Sequence, residues 1–174
     1  MQPIIIAASP LTYTEYRRLS FADFRTRYPF YYIGLPAFTL FILLIIVVVV
    51  ADAGIASVEW KDLRATTLMF VVAVIIWVGT WYSLRQNYRK SNILRNGTVY
   101  YLNEQGIIQE GSLSDLVLWS NIARTAVQSG QWILLRQASP TSKEVYFLNA
   151  AGVMPPATRA ELLALLKSKR IKPV

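Results

Sequence analysis

The sequence predicts an α+β membrane protein, in which a hairpin of two transmembrane helices precedes a small antiparallel β domain closed by a C-terminal helix. Three observations lead to this prediction. Two stretches of 21 and 20 residues carry no charge, and about 20 apolar residues are enough for a helix to cross the hydrocarbon core. Short apolar segments separated by turn residues follow, and leucines at helical spacing come near the end of the chain.

Composition narrows the classes of function. Of the 174 residues, 54% are apolar and 16% are charged, and segregation of the charges away from two long stretches is typical of a chain that enters a bilayer. There is no cysteine and no histidine, which excludes disulfides, thiolate metal sites and the commonest general base. The net charge is +8, but its clustering at membrane boundaries favours membrane lipids over nucleic acid as partners.

Residues 1–30 are predicted to form a cytoplasmic strand and an amphipathic helix. The apolar run Pro3–Ala8 is strand-like, and Ser9-Pro10 ends it. Thr12 or Thr14 can cap the helix that follows. Its apolar positions recur at helical spacing with arginines between them, at Tyr16, Leu19, Phe24 and Tyr28. Two placements are open, since the helix can lie along the inner membrane surface or continue straight into the first span.

The transmembrane hairpin is predicted over residues 31–84, with spans at 31–51 and 65–84. The first apolar run starts too late and is too long for a signal peptide. Pro36 is placed within the first two turns, where its missing N–H costs least. Aromatic residues, which prefer the headgroup level, gather at the start of the first span and the end of the second, at Tyr28, Phe30, Tyr31, Tyr32, Trp77, Trp81 and Tyr82.

The distribution of basic residues orients this hairpin. Four precede the first span, two lie between the spans and four follow the second. Positively charged flanks stay in the cytoplasm, so both termini are predicted to be cytoplasmic. Residues 85–96 form a basic juxtamembrane linker whose cations are candidate lipid headgroup contacts, namely Arg85, Arg89, Lys90 and Arg95.

The spans themselves offer little for transport, because neither contains an ionisable residue. Small residues permit close packing within the hairpin or between copies, so a homo-oligomer is possible. These residues are Gly34, Ala37, Gly79 and Thr80.

Residues 97–174 are predicted to form a small cytoplasmic β domain. Six strands are expected, at Gly97–Leu102, Ile107–Glu110, Leu113–Trp119, Ala123–Ser129, Gln131–Gln137 and Glu144–Leu148. After Pro155-Pro156, a helix from Thr158 to about Arg170 carries Leu162, Leu163 and Leu166 on one face. Strands closed by one amphipathic helix are the layout of a pleckstrin-homology-like (PH-like) barrel, to which Pro3–Ala8 can add a seventh strand.

The two spans, followed by YYLNEQGIIQEGSLSDLVLWSNIARTAVQSGQWILL, resemble the bacterial YcxB-like family. In that family a strand leads into an Asn/Asp-Glu-x-Gly-Ile turn, and a Trp-Ser-x-Ile element follows. The matching positions are Leu102, Asn103, Glu104, Gly106, Ile107, Trp119, Ser120 and Ile122. The basic pair that the family usually carries after its last strand is replaced here by FLNAAGVMPP. The resemblance implies a PH-like domain at a bacterial inner membrane, with motif positions that are mostly structural.

No catalytic, cofactor-binding or metal-binding residues are predicted. Ser120 has no histidine to activate it and no Gly-x-Ser-x-Gly elbow, so we expect Trp119 to fill the barrel and Ser120 or Asn121 to cap a short turn. Glu104 and Glu110 flank a hairpin turn and lack metal-ligand spacing.

The leading hypothesis is a non-enzymatic inner-membrane scaffold or regulator whose PH-like domain binds a protein partner or lipid. The alternative is a membrane-resident immunity protein that neutralises a toxin acting at the inner membrane, and a neighbouring toxin gene would favour it. A membrane enzyme using Ser120, Glu104 or Glu110 is a third possibility.

Overall fold

A computed structural model describes residues 3–53, 60–110, 116–138 and 144–173. The chain divides into two compact units, of which one combines Met1–Thr26 with Asn87–Val174 and the other is Arg27–Gln86. The predicted α+β class is confirmed, with two long apolar helices, two sheets and a C-terminal helix. The described helices are α1 (Tyr13–Arg27), α2 (Pro29–Ala53), α3 (Trp60–Lys90), α4 (Asn92–Asn96) and α5 (Arg159–Ser168). The described strands are β1 (Ile4–Ile6), β2 (Tyr100–Leu102), β3 (Gly106–Gln109), β4 (Val117–Leu118), β5 (Thr125–Ser129), β6 (Trp132–Arg136), β7 (Val145–Asn149) and β8 (Lys172–Pro173).

The apolar unit contains the two helices that correspond to the predicted spans. The most apolar stretches of the segments Pro29–Asp52 and Arg64–Lys90 have mean hydropathies of 3.0 and 1.9. Only 6% of the residues in each of these stretches are buried. Both are long and apolar enough to cross a membrane. The prediction for Pro36 is wrong, because α2 begins at Pro29 and Pro36 therefore lies inside the helix.

Gly79, one of the small residues that the sequence suggested for helix packing, makes no close contact. Among the described residues of α2 and α3, Ile42 and Ala73 are the buried hydrophobic side chains, each 3% exposed. A methyl group added at Gly79 would meet nothing within 4 Å, so the helices do not approach each other closely there.

The first sheet of the other unit has the strand order β1-β2-β3-β4, and all its pairs are antiparallel. The N-terminal strand pairs with β2, with Ile4 opposite Leu102 and Ile6 opposite Tyr100. The chain therefore brings its first residues back to a strand about a hundred positions later. Residues 111–115, which include the start of the predicted strand Leu113–Trp119, lie outside the described residues. That strand is described only from Leu116 on, as β4 over Val117–Leu118.

The second sheet has the order β7-β6-β5-β8. Its pairs are antiparallel except that β8 runs parallel to β5. The sequence analysis missed β8, which follows a turn in which Arg170 has a φ of 61°. The predicted loop between the strands that became β6 and β7 falls largely on residues 139–143, outside the described residues.

The main core lies between the two sheets and α5. Helix α5 starts with a capping box, in which the Thr158 side chain accepts from the Glu161 backbone N–H and the Glu161 side chain accepts from the Thr158 N–H. Its buried face is Leu162, Leu165 and Leu166, while Leu163 is only partly buried. The prediction therefore missed Leu165 and placed the centre of the apolar face too far toward Leu163.

Helix α1 forms a further layer against the second sheet. Thr12 caps it as predicted, since its Oγ1 accepts from the Glu15 N–H at 3.3 Å. The rings of Tyr16 and Phe147 lie 6.0 Å apart, and Trp132 Nε1 donates to Glu15 Oε1 at 3.0 Å. The helix ends at Arg27 and α2 starts at Pro29, so the two are separate helices.

The buried face of α1 differs from the predicted one. Tyr16 and Leu19 are buried, but Phe24 is exposed and Asp23 is buried instead. Arg136 Nε donates to Asp23 Oδ1 at 2.6 Å, and Arg136 Nη2 pairs with Asp23 Oδ2. This two-point ion pair joins α1 to the end of β6, and it explains why a carboxylate is tolerated on the buried side of the helix.

The segment assigned to the linker, residues 85–96, is helical. Helix α3 continues through Lys90, and α4 follows with Ser91 as its N-cap. Near the end of α3, Tyr88 donates its hydroxyl hydrogen to the Leu11 carbonyl at 2.9 Å and stacks edge-on against Tyr13 at 5.5 Å. These contacts tie residues 87–96 to the N-terminal arm within one unit.

Candidate functional site

A pocket of about 290 Å³ opens at one end of the first sheet. Strand β1, the turn between β2 and β3, and the start of α5 surround it. The lining residues are Pro3, Ile4, Leu102, Asn103, Glu104, Pro156, Ala157, Glu161 and Leu165. The volume is at the lower end of the range for small-ligand sites, which are concave and mostly apolar.

The turn that forms one wall is held by hydrogen bonds of its own. Asn103 Oδ1 accepts from the backbone N–H groups of Gln105 at 2.9 Å and Gly106 at 2.8 Å. The indole of Trp119 donates to the Asn103 carbonyl at 2.8 Å, and the Trp119 N–H donates to the Gln105 carbonyl at 3.1 Å. The wall is therefore preorganised by an Asx turn and by a buried tryptophan.

Gly106 is required where β3 meets β4. A Cβ at this position would lie 2.0 Å from the Val117 carbonyl oxygen, far inside van der Waals contact. Only glycine allows the two backbones to approach this closely. Gly106 therefore has a steric role in placing the pocket wall.

The opposite wall is the first turn of α5. Glu161 Oε2 accepts from the Thr158 N–H at 2.8 Å, which fixes the carboxylate near the pocket mouth. The sequence analysis did not select Glu161 or Leu165 as site residues. The Thr158-x-x-Glu161 spacing is a capping-box signal that could have located Glu161, but no local signal places β1 and α5 around the same cavity.

The pocket has an apolar floor and an acidic mouth. Ile4, Leu102 and Leu165 are buried, whereas Glu104 and Glu161 are exposed. No lysine or arginine is among the lining residues. The lining can hold an apolar group, and the residues that line the pocket include no nucleophile paired with a base.

The motif positions predicted to be structural divide into two groups. Asn103, Gly106 and Trp119 are joined through the turn, and Ile122 is 4% exposed in the core. Trp119 is 8% exposed, which confirms that it fills the interior. Ser120 is on the surface of a short 3₁₀ turn, Trp119–Asn121.

The capping role expected for Ser120 or Asn121 is wrong. The 3₁₀ turn begins after Leu118 without a side-chain cap, and Ile122 ends it. Ser120 Oγ lies instead 3.3 Å from the neighbouring Asn121 side-chain oxygen. Backbone bonds hold this segment, including Ala138 N–H to the Asn121 carbonyl at 2.7 Å, so no side-chain cap is needed.

The four cations predicted to contact headgroups are all exposed. Arg85 and Arg89 are one helical turn apart on α3, and Lys90 ends that helix. Arg95 lies on α4, where its Nη2 donates to Asn92 Oδ1 at 2.9 Å. Their charged groups are thus available to solvent or to a headgroup layer.

Buried tyrosines are the strongest perturbed acids in this unit. Burial raises the pKa of Tyr100 to about 12, and burial also raises the pKa of Tyr146 to about 12. Their rings lie 6.3 Å apart, edge to face, and Tyr146 donates to Glu144 Oε2 at 2.9 Å. Burial therefore disfavours the ionised form of both phenols.

Among the described residues there is no group of three or more histidine, cysteine, aspartate or glutamate side chains that could hold a metal ion. Comparison of the chain with models of protein families, with characterised proteins and with solved structures gives no match. The geometry of the chain itself therefore carries the functional argument.

Proposed function

We propose that this chain is a non-enzymatic protein of the bacterial inner membrane, crossing it twice, whose cytoplasmic PH-like domain binds a protein partner or lipid. The observation that carries the proposal is that two separate segments of the chain, residues 1–26 and 87–174, form one folded unit around one core. The residues between them contain the two exposed apolar helices.

The shared unit supports a hairpin topology. A folded unit with buried backbone pairing between β1 and β2 has to lie on one side of a bilayer. The intervening chain must then leave that side and return, which requires an even number of crossings. Two apolar helices meet this requirement, and the basic flanks favour the cytoplasm for both termini.

Exposure of the apolar helices supports insertion in lipid. A core helix of a soluble protein is mostly buried, whereas only 6% of each candidate window is buried here. Side chains such as Phe30 at 83% and Leu40 at 68% exposed would be costly in water. Tyr28, Tyr31, Trp81 and Tyr82 are also exposed near the outer ends of the hairpin sequence, as expected for rings at the headgroup level.

A preformed pocket and exposed juxtamembrane cations support a binding role. The pocket between β1 and α5 is preformed, and its walls are fixed by the Asx turn and the capping box. Two packed sheets with α5 against their shared core are also compatible with the PH-like layout and with the YcxB-like resemblance. The exposed juxtamembrane cations add attraction to anionic lipid of about 1 kcal/mol per residue near the surface.

Photocrosslinking in living bacteria tests the binding role. A photoreactive amino acid replaces Ala157 at the pocket, and a matched control replaces exposed Glu110 outside it. We expect a discrete adduct with a protein or a lipid at position 157 and none at position 110. Absence of adducts at the pocket, together with no lipid retained on purification in mild detergent, would contradict a binding function.

A further inference from the structure

We infer that α1 binds anionic phospholipid headgroups of the bilayer that the chain is proposed to span. The contacts are Arg18 and Arg25, on the side of the helix turned away from the second sheet, and we call these two residues the basic α1 face. The inference rests on the proposed function and deepens it, because it assigns a class of lipid and a surface that holds it. This surface is distinct from the juxtamembrane cations of α3 and α4.

The opposite side of α1 is committed to the folded unit. Tyr16, Leu19 and Asp23 are the buried residues of the helix. Arg25 follows Tyr16 by nine residues, which is about two and a half turns, so it lies on the other side. Arg18 comes about two turns before Arg25 and therefore shares its face. Both arginines are exposed.

The two carboxylates of α1 leave this face positive. Asp23 lies on the buried side, where Arg136 binds it at two points. Glu15 is one turn from Arg18 and close enough to interact with its charge, so it offsets part of that charge. In the sequence, no acidic residue lies three or four positions from Arg25. A phosphate group at this face therefore meets a partly offset cation at Arg18 and a stronger one at Arg25.

Both ends of α1 are held near residues where the proposed spans end. Arg25 precedes Pro29, the first residue of α2, by four residues, which cover at most about 14 Å. At the other end, Tyr88 lies four residues beyond the predicted end of the second span, about 6 Å farther along α3. Its hydroxyl donates to the Leu11 carbonyl at 2.9 Å, and its ring lies 5.5 Å from that of Tyr13. This arrangement favours a helix that runs along the membrane surface over one that projects away from it.

Headgroup phosphates fit this face better than an acidic protein does. The membrane is the anionic surface that the chain connections already place beside α1, whereas an acidic protein would have to be recruited. Guanidinium groups make charge-assisted hydrogen bonds to phosphate oxygens. The long arginine side chains reach the phosphates while the helix stays above the acyl chains.

Quenching of a fluorophore on the basic α1 face tests the inference in the full chain. The chain has no cysteine, so Thr14→Cys, at an exposed position four residues before Arg18, carries the fluorophore, and Ser120→Cys is the control position. The labelled chain is reconstituted in vesicles of phosphatidylcholine, alone or mixed with phosphatidylglycerol, with a headgroup spin-labelled lipid as the quencher. We expect phosphatidylglycerol to increase the quenching at position 14 and not at position 120. High salt should remove the increase.

Two double variants show whether the arginines cause the effect. Arg18→Gln with Arg25→Gln should lower the ratio of docked to undocked helix about tenfold, because each cation near an anionic surface contributes about fivefold and Glu15 offsets part of one. Arg159→Gln with Lys167→Gln is the matched control, since it removes two exposed cations from α5, and it should leave the quenching unchanged. All four side chains are exposed, so both variants should remain folded.

Equal quenching at position 14 in the two kinds of vesicle would overturn the inference. An acidic protein as the occupant predicts this result, since the vesicles contain no other protein. Equal loss of quenching in the two double variants would also overturn it, because the attraction would then come from the net charge of the chain rather than from α1.

The outcome is separable from that of the proposed function. Suppose that the chain incorporates into the vesicles and gives an adduct at position 157, but shows no phosphatidylglycerol-dependent quenching at position 14. That result would refute lipid binding by α1 and leave the proposed function intact. A chain that fails to incorporate into either kind of vesicle would contradict both.

Discussion

At the scale of single residues, the ion pair between Asp23 and Arg136 joins positions 113 residues apart. The Asp23 side chain is 9% exposed and the Arg136 side chain 28%. Loss of the arginine would strand a carboxylate that has little access to water, whereas loss of the aspartate would leave a guanidinium that can still be hydrated. The two substitutions should therefore differ in their cost.

We expect Arg136→Leu to destabilise the folded unit by about 3 kcal/mol and Asp23→Ala by less. Thermal unfolding of the full chain in mild detergent measures both. The double variant should recover part of the loss, because it removes the stranded carboxylate. Equal destabilisation by the two single variants would contradict the claim that removal of Arg136 leaves a buried, uncompensated carboxylate.

Alkaline stability depends on the buried tyrosines. Burial raises the folded-state pKa of Tyr100 from 10.0 to about 12, so its contribution to stability is complete below pH 10 and is lost as the pH rises toward 12. We expect wild type to lose stability in this interval and Tyr100→Phe to lose less. The difference between the two melting temperatures, followed from pH 8 to pH 12, measures the effect, and a constant difference would argue against it.

At the scale of elements, Gly106 controls how β3 pairs with β4. Alanine there would place its Cβ 2.0 Å from the Val117 carbonyl oxygen. Because the clashing atom belongs to the backbone, the clash can be relieved only if strands β3 and β4 move apart. We expect Gly106→Ala to cost about 2–3 kcal/mol. Gly130→Ala is the matched control, since its φ of +63° is left-handed but nothing lies within 4 Å, and it should cost about 1 kcal/mol. Similar melting temperatures for both variants would contradict the steric role of Gly106.

Elements with a local signal could be predicted from the sequence. Hydropathy located α2 and α3, short apolar segments between turn residues located β5 to β7, and Thr12 marked the start of α1. Elements that depend on distant partners were missed. Strand β8 is only two residues long and forms by pairing with β5. Helix α4 has five residues, and its segment was identified from the sequence only as a basic linker.

The residues of the candidate site also divide into those with a sequence signal and those that only the fold brings together. Asn103 and Gly106 were selected from the sequence as positions of the YcxB-like resemblance, and in the structure they form an Asx turn and a close backbone approach. The pocket needs Ile4 and Leu165 beside that turn, and only the fold brings them there. Asp23 was not selected from the sequence, because no neighbouring residue identifies Arg136 as its partner.

For the whole molecule, the proposed function requires one topology. The folded unit lies on a single side of the membrane, and the two apolar helices cross the membrane as a hairpin. The chain contains no cysteine, so single cysteines can be introduced without a background. Ser57→Cys lies between the two apolar segments, and Ser120→Cys lies at an exposed position of the folded unit.

Labelling of intact cells with a membrane-impermeant maleimide is the most direct test of this topology. We expect Ser57→Cys to be labelled in intact cells, and Ser120→Cys and Thr14→Cys to be labelled only after the inner membrane is permeabilised. Labelling of Thr14→Cys and Ser120→Cys from opposite sides of the membrane, or recovery of the protein in the soluble fraction without detergent, would contradict the account.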